Sequence, residues 1–166
     1  SNTDTSTATI DKNITINTNG KTITKKTSTI TVNSGKTLKI TGSGKITTGA
    51  SINTITNKGT LSVTSATIAH TLQTTSYRAI HNSGTVTINS GTITSKTYTI
   101  YNSGTLNIKG GTVKAISSYE GLVRTIGNGD GGKLNISGGT ITGSNTSTAN
   151  TTSCRTITGA GTIKIT

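Results

Sequence analysis

Apolar residues recur along this chain in a three-part phrase, and the polar residues between them repeat almost as faithfully. An isoleucine is followed two positions later by Asn and then by Gly: Ile55, Asn57, Gly59; Ile80, Asn82, Gly84; Ile100, Asn102, Gly104; and Ile126, Asn128 with the pair Gly131 and Gly132. Two apolar residues separated by one polar residue come next: Leu61 and Val63, Val86 and Ile88, Leu106 and Ile108, Leu134 and Ile136, with Ile163 and Ile165 at the close. A final apolar residue completes each phrase at Ile68, Ile93, Val113 and Ile141. Period-two alternation over a few residues, flanked by β-branched Thr and bounded by Gly or Asn, is the pattern of a short strand with one buried face. Each phrase therefore predicts three short strands joined by tight turns.

The spacing within the phrase says how these strands are arranged. From Val63 to Ile68, Ile88 to Ile93, Ile108 to Val113 and Ile136 to Ile141 the gap is always 5. From the last apolar residue to the next leading isoleucine it is 12 (Ile68 to Ile80), 7 (Ile93 to Ile100), 13 (Val113 to Ile126) and 16 (Ile141 to Ile157). One corner is thus fixed and another free to vary, as in a coil of a parallel β-solenoid. The expected fold is all-β: a single-stranded right-handed parallel β-helix of about six to seven coils with three short strands per coil. Right-handedness is the general expectation for parallel crossovers. Stacking would set Leu61, Val86, Leu106 and Leu134 in one column and bury an interior that no single coil could bury. Asn57, Asn82, Asn102 and Asn128 are expected to form a structural ladder at the first turn, with Gly supplying positive φ.

The run "ITINTNGKTIT" (Ile14 to Thr24), then "ITVNSGKTLKITGSGKITTG" (Ile30 to Gly49), then the coils of the form NSGTLxIxGGTI resemble the right-handed parallel β-helix repeats of surface and adhesin-like proteins of Gram-positive and gut bacteria. The resemblance covers nearly the whole chain and speaks to fold far more than to activity. One solenoid domain over 1–166 is expected, with atypical coils over 1–51 and regular coils over 52–166. In the first part Gly20 and Gly35 stand three residues before Ile23 and Leu38 and are read as the turns of tighter coils. No polar cap is evident after Ile165, so the edge there is expected to be cut through or to meet another chain.

Composition narrows the classes. Phe, Trp, Met and Pro are absent, there are four Tyr, and Thr makes up about a quarter of the chain. An aromatic core is excluded, and low hydropathy with a formal charge of +12 would suit disorder. The regular aliphatic spacing argues against that. A single cysteine, Cys154, cannot form an internal disulfide, and no run of about 18 apolar residues offers a membrane span. The opening "SNTDTS" reads as that of a mature or excised piece, with extracellular or cell-surface placement expected from the resemblance.

Candidate chemistry is sparse. The acids are Asp4, Asp11, Glu120 and Asp130, too few and too scattered for the paired carboxylates of polysaccharide lyases or hydrolases, so no enzyme is expected. "GNGDGGKLN" (Gly127 to Asn135) offers one Asp where calcium demands several oxygens, and His70 and His81 lack partners for zinc. Neither metal nor cofactor is called for. Outward Thr ranks, as in ice-binding solenoids, are interrupted by Lys133, Lys164, Asn107, Asn135, Ala69 and Lys114. The lysines crowd toward the amino-terminal third but scatter over several phases, and no recognition helix or stacking platform suggests specific nucleic acid.

One pattern exceeds scaffold. The three arginines, Arg78, Arg124 and Arg155, each precede a leading isoleucine by two, and Tyr98 takes that place before Ile100. Tyr77, Tyr101 and Tyr119 lie at the same variable corner. Guanidinium forks suit carboxylate, sulfate or phosphate, and tyrosine faces suit sugar rings. The expected partner is an acidic polysaccharide or cell-wall polymer bound by Arg78, Tyr98, Tyr101, Tyr119, Arg124 and Arg155. The competing expectation is that these residues merely close the corner. The function read from the chain is a rigid extracellular adhesin-like scaffold; the alternative is a filament or matrix subunit stacking end to end.

Overall fold

A computed structural model describes residues 2–4 (backbone only), 8–118, 121–147 and 153–166. These residues contain no helix; they form a parallel β-solenoid of about six turns, three strands per coil. The first sheet holds Asn2–Asp4, Thr22–Lys25, Lys45–Thr48, Thr67–His70, Thr92–Ser95, Thr112–Ser117 and Thr140–Asn145. The second holds Ala8–Ile10, Ile30–Val32, Ile55–Asn57, Ile80–Asn82, Tyr98–Asn102, Leu122–Asn128 and Ser153–Thr158. The third holds Ile14–Asn17, Thr37–Thr41, Thr60–Val63, Thr85–Ile88, Thr105–Ile108, Lys133–Ile136 and Thr162–Ile165.

Like residues superpose. Ile30, Ile55, Ile80, Ile100, Ile126 and Ile157 form one column, and Ile14, Leu38, Leu61, Val86, Leu106, Leu134 and Ile163 another. Ile23, Ile46, Ile68, Ile93, Val113 and Ile141 form a third, on the first sheet. Most of these side chains are fully buried, and each stabilises the stack by about 1.5–3 kcal/mol relative to exposure. No aromatic ring is needed because these columns and a fourth, Ile16, Ile40, Val63, Ile88, Ile108, Ile136 and Ile165 on the third sheet, fill so narrow a triangle.

Two expectations change. Ile23 and Leu38 are not equivalent: Ile23 pairs with Ile46 on the first sheet, whereas Leu38 pairs with Leu61 on the third. Gly20 and Gly35 therefore belong to different corners, and the turn after Val32 is longer than the one after Asn57, like that after Asn128. The second change concerns why Gly59, Gly84 and Gly104 are glycine. None of them has positive φ; that conformation falls instead at Gly91, Gly111 and Gly139 before the first sheet, and at Gly35 and Gly131 in the longer turns. At Gly84 a Cβ would collide with the carbonyl oxygen of Gly59, and at Gly104 with that of Gly84. Close approach of successive coils, not backbone handedness, requires glycine there.

The amide ladder lies beside these glycines. Asn57 Nδ2 donates to Asn82 Oδ1 (2.8 Å), Asn82 to Asn102 (2.7 Å) and Asn102 to Asn128 (2.7 Å). Each Nδ2 also reaches a glycine carbonyl of its own turn and a carbonyl of the next coil, as Asn82 does with Gly84 (3.2 Å) and Thr105 (3.0 Å). All four side chains are fully buried. The bonds run one way, and the ladder stops where its column holds Val32 before Asn57. Asn57 Oδ1 is left without a partner among the described residues.

Candidate functional site

The variable corner lies between the first and second sheets. Its inner wall is fastened by threonines that the sequence reading passed over. Thr54, Thr99 and Thr125, each immediately before a leading isoleucine, are fully buried and donate their hydroxyls at 2.8 Å to the carbonyls of Ala69, Lys114 and Thr142 on the first sheet. The signal was present as Thr in five of the six equivalent places, Thr29 and Thr156 being the other two, and Ala79 fills the sixth without a hydroxyl. These bonds hold the corner whatever the length of the turn outside it.

On that wall stands the arginine and tyrosine column. Tyr98 pairs in register with Arg124, and Arg124 with Arg155, so these rungs are set about 4.8 Å apart. The Arg78 guanidinium lies 4.4 Å from the Tyr98 ring centre and 5.3 Å from that of Tyr101, while Arg124 approaches Tyr98 from the next coil at 5.6 Å. Tyr98 and Tyr101 meet edge to face at 6.4 Å, and His81 tilts against Tyr101 at 5.1 Å. Cation–π contacts of this kind hold a guanidinium while leaving its N–H edge available. Gly127 gives Tyr98 its seat: a Cβ there would strike the phenol oxygen.

Tyr98 is only 6% exposed, so its ring faces guanidiniums and not solvent. Burial pushes its phenol above the usual range, with Arg78 and Arg124 partly opposing the shift. Burial also lowers His81, and the Arg78 charge adds to that effect. Arg78 Nη1 donates to Ser76 O at 2.8 Å, while its Nε finds no partner among the described residues. Arg78, Arg124 and Tyr101 are half-buried and Arg155 is exposed. No carboxylate pairs with these guanidiniums among the described residues. Tyr77 is half-buried and joins no ring contact there, and Tyr119, with Glu120, lies outside the described residues.

The remaining reactive residues do not converge. His70 ends a first-sheet strand, 2% exposed, with Nε2 3.0 Å from Ile52 O, and burial holds its imidazole below the ordinary range. His81 is on the second sheet. Cys154 is exposed in register with Val123, and Asp130 caps its own turn through Gly131 N. The described residues contain no group of three metal-ligating side chains. Comparison with protein-family models, with curated proteins and with solved structures finds no match, so the architecture stands on its own geometry.

Proposed function

We propose that this chain is a non-enzymatic, extracellular, adhesin-like scaffold that holds an acidic polysaccharide or cell-wall polymer along the corner between its first and second sheets. The observation that carries the reading is the consecutive placement of Arg124 and Arg155, with Arg78 two coils below Arg124, and no carboxylate facing them among the described residues. Guanidiniums held close repel, by about 1 kcal/mol at 4 Å in water and more near a low-dielectric wall, unless an anion lies between them. A polymer with repeated carboxylates or sulfates supplies such an anion at each rung. Tyr98 is the wedge that fixes two of the guanidiniums, and Tyr101 offers the half-open ring edge. The extracellular placement rests on the likeness of the repeats to those of surface proteins.

A glycan array at physiological salt tests this. Acidic polysaccharides should be retained, neutral ones should not, and an Arg124→Gln, Arg155→Gln pair should lose most of the retention. Undiminished binding by that pair would remove the arginine column as the site.

A second reading, end-to-end self-association, has its own observation. Ile163 and Ile165, continuing two apolar columns, are 45% and 73% exposed. Light scattering should then show growth with concentration that Ile163→Thr with Ile165→Thr suppresses; a persistent monomer removes the idea.

A further inference from the structure

Turn length at the variable corner changes abruptly along the stack. Residues 71–79 separate Thr67–His70 from the next second-sheet strand, only 96–97 separate Thr92–Ser95 from Tyr98–Asn102, and 118–121 separate Thr112–Ser117 from Leu122–Asn128. The short turn beside the long 71–79 turn leaves a recess, and a groove of about 290 Å³ lies there. Thr94, Ser95 and Lys96 come from the short coil, Thr71 from the coil before, and Lys114 and Ile116 from the coil after. The long turn is tied to the short one where Thr97 donates its hydroxyl to Thr74 O. Ala69 deepens the groove, because its neighbours in the outward column are Thr47 and Thr94, and it contributes only a methyl group where they carry threonine.

The lining is chemically divided. Lys45, Lys96 and Lys114 bring ammonium groups from three different coils, and among the described residues no carboxylate lines the groove. Thr71 and Thr94 bring hydroxyls, and the 45%-exposed Ile116 brings an apolar surface above the nearly buried methyl group of Ala69, while the Ser95 hydroxyl turns inward to Thr99 Oγ1 at 2.8 Å. A ligand matching all three must carry an anion, several hydroxyls and a C–H face. Its volume places it at the small end of ligand pockets, near one sugar ring.

We propose that this groove binds a single acidic sugar unit, its carboxylate on Lys96 and Lys114 and its ring face on Ile116. The choice of an acidic sugar rests on the acidic-glycan reading above, but the residues are separate from the arginine column. The recess acts as an end or branch pocket beside the linear edge.

The test is an NMR titration of the whole chain with glucuronate, and with glucose and acetate as arms that carry the ring without the charge and the charge without the ring. Glucuronate should shift the amides of Thr94 to Lys96 and of Lys114 well below the concentrations at which either control does. Lys96→Gln with Lys114→Gln should weaken binding at least about tenfold, as expected for loss of charge-assisted hydrogen bonds, with an unchanged melting temperature. Arg124→Gln with Arg155→Gln should leave these shifts in place. Absence of groove shifts with glucuronate, or equal shifts with glucose or acetate, overturns the pocket. If the arginine pair abolishes polysaccharide retention while the groove amides stay silent, the edge stands and the pocket falls; groove shifts with unchanged retention in the arginine pair give the reverse.

Discussion

Asn82 Nδ2 and Asn102 Oδ1 meet at 2.7 Å across two coils, in a column where every amide points its donor toward the carboxyl-terminal end of the stack. The same Asn102 donates onward to Asn128 and to the carbonyls of Gly104 and Lys133, so one side chain bonds to groups in three consecutive coils, its own and the two beside it. Asn102→Ala should therefore cost about 2–4 kcal/mol, the range for stranding several buried polar groups. Asn102→Asp should cost more, because a carboxylate keeps the bond from Asn82 but faces three acceptors with no donor. Urea denaturation of both variants checks the order, and an Asp variant as stable as wild type would show that the ladder is not dry.

The open end of the ladder predicts an unusual tolerance. Asn57 Oδ1 lies above Val32 with no donor. Val32→Asn places an amide in that column and supplies the missing bond, offsetting most of the roughly 1.5 kcal/mol of lost apolar burial. Val63→Asn, equally buried but in an aliphatic column, has no such compensation and should fall by several kcal/mol. Equal melting temperatures for the two variants would contradict the directional ladder.

Two glycines separate two causes. Gly84→Ala must push the coil away from the Gly59 carbonyl and should cost about 3 kcal/mol or more. At Gly131 nothing lies within 4 Å of an added Cβ, but φ is +71°, so Gly131→Ala should cost only about 1–2 kcal/mol. Thermal unfolding ranks them, and the reverse order would refute close approach as the reason for the repeated glycine.

Stability should depend on acid through His70. Burial lowers its folded pKa from 6.5, so at higher pH both folded and unfolded states hold it neutral and it has no effect. Below about 6.5 the unfolded chain takes up a proton that the folded chain resists, and stability declines as pH falls, by at most about 1.4 kcal/mol per pH unit for one group. His81 is shifted the same way. His70→Gln should flatten part of the decline and the double variant with His81→Gln more of it; an unchanged profile in the double variant would assign the acid sensitivity elsewhere.

The aliphatic columns were legible in the sequence because burial imposes period two within a strand and coil length repeats it. Ile55, Ile80, Ile100 and Ile126 could be aligned by eye for that reason. The amide ladder was legible as well, from Asn recurring beside the turn glycine; what escaped were the close approaches and hydroxyl bonds that only stacked coordinates reveal. Glycine in a turn reads as a conformational choice, and only coordinates show that Gly84 is glycine because Gly59 lies beneath it. Thr54, Thr99 and Thr125 disappear into a threonine-rich composition until their hydroxyls are seen crossing the corner. Tyr98 could be placed in the arginine column by counting, but its burial depends on Gly127 leaving room, which no spacing rule reveals. The groove beside Lys96 was written in the intervals 12, 7 and 13, as unequal turns whose recess appears only when they are stacked.

Register underlies all of these statements, and a paired-cysteine experiment measures it directly. In a Cys154→Ser background, Thr87→Cys with Asn107→Cys places thiols on neighbouring outward positions that pair in register, about 4.8 Å apart at Cα and within disulfide reach. Thr87→Cys with Thr105→Cys offsets them by two residues along the strand. Mild oxidation should close the first pair quickly and within one chain, leaving the second largely reduced. Equal closure of both pairs, or closure of the offset pair alone, would contradict the stacked columns on which the fold and its binding edge depend.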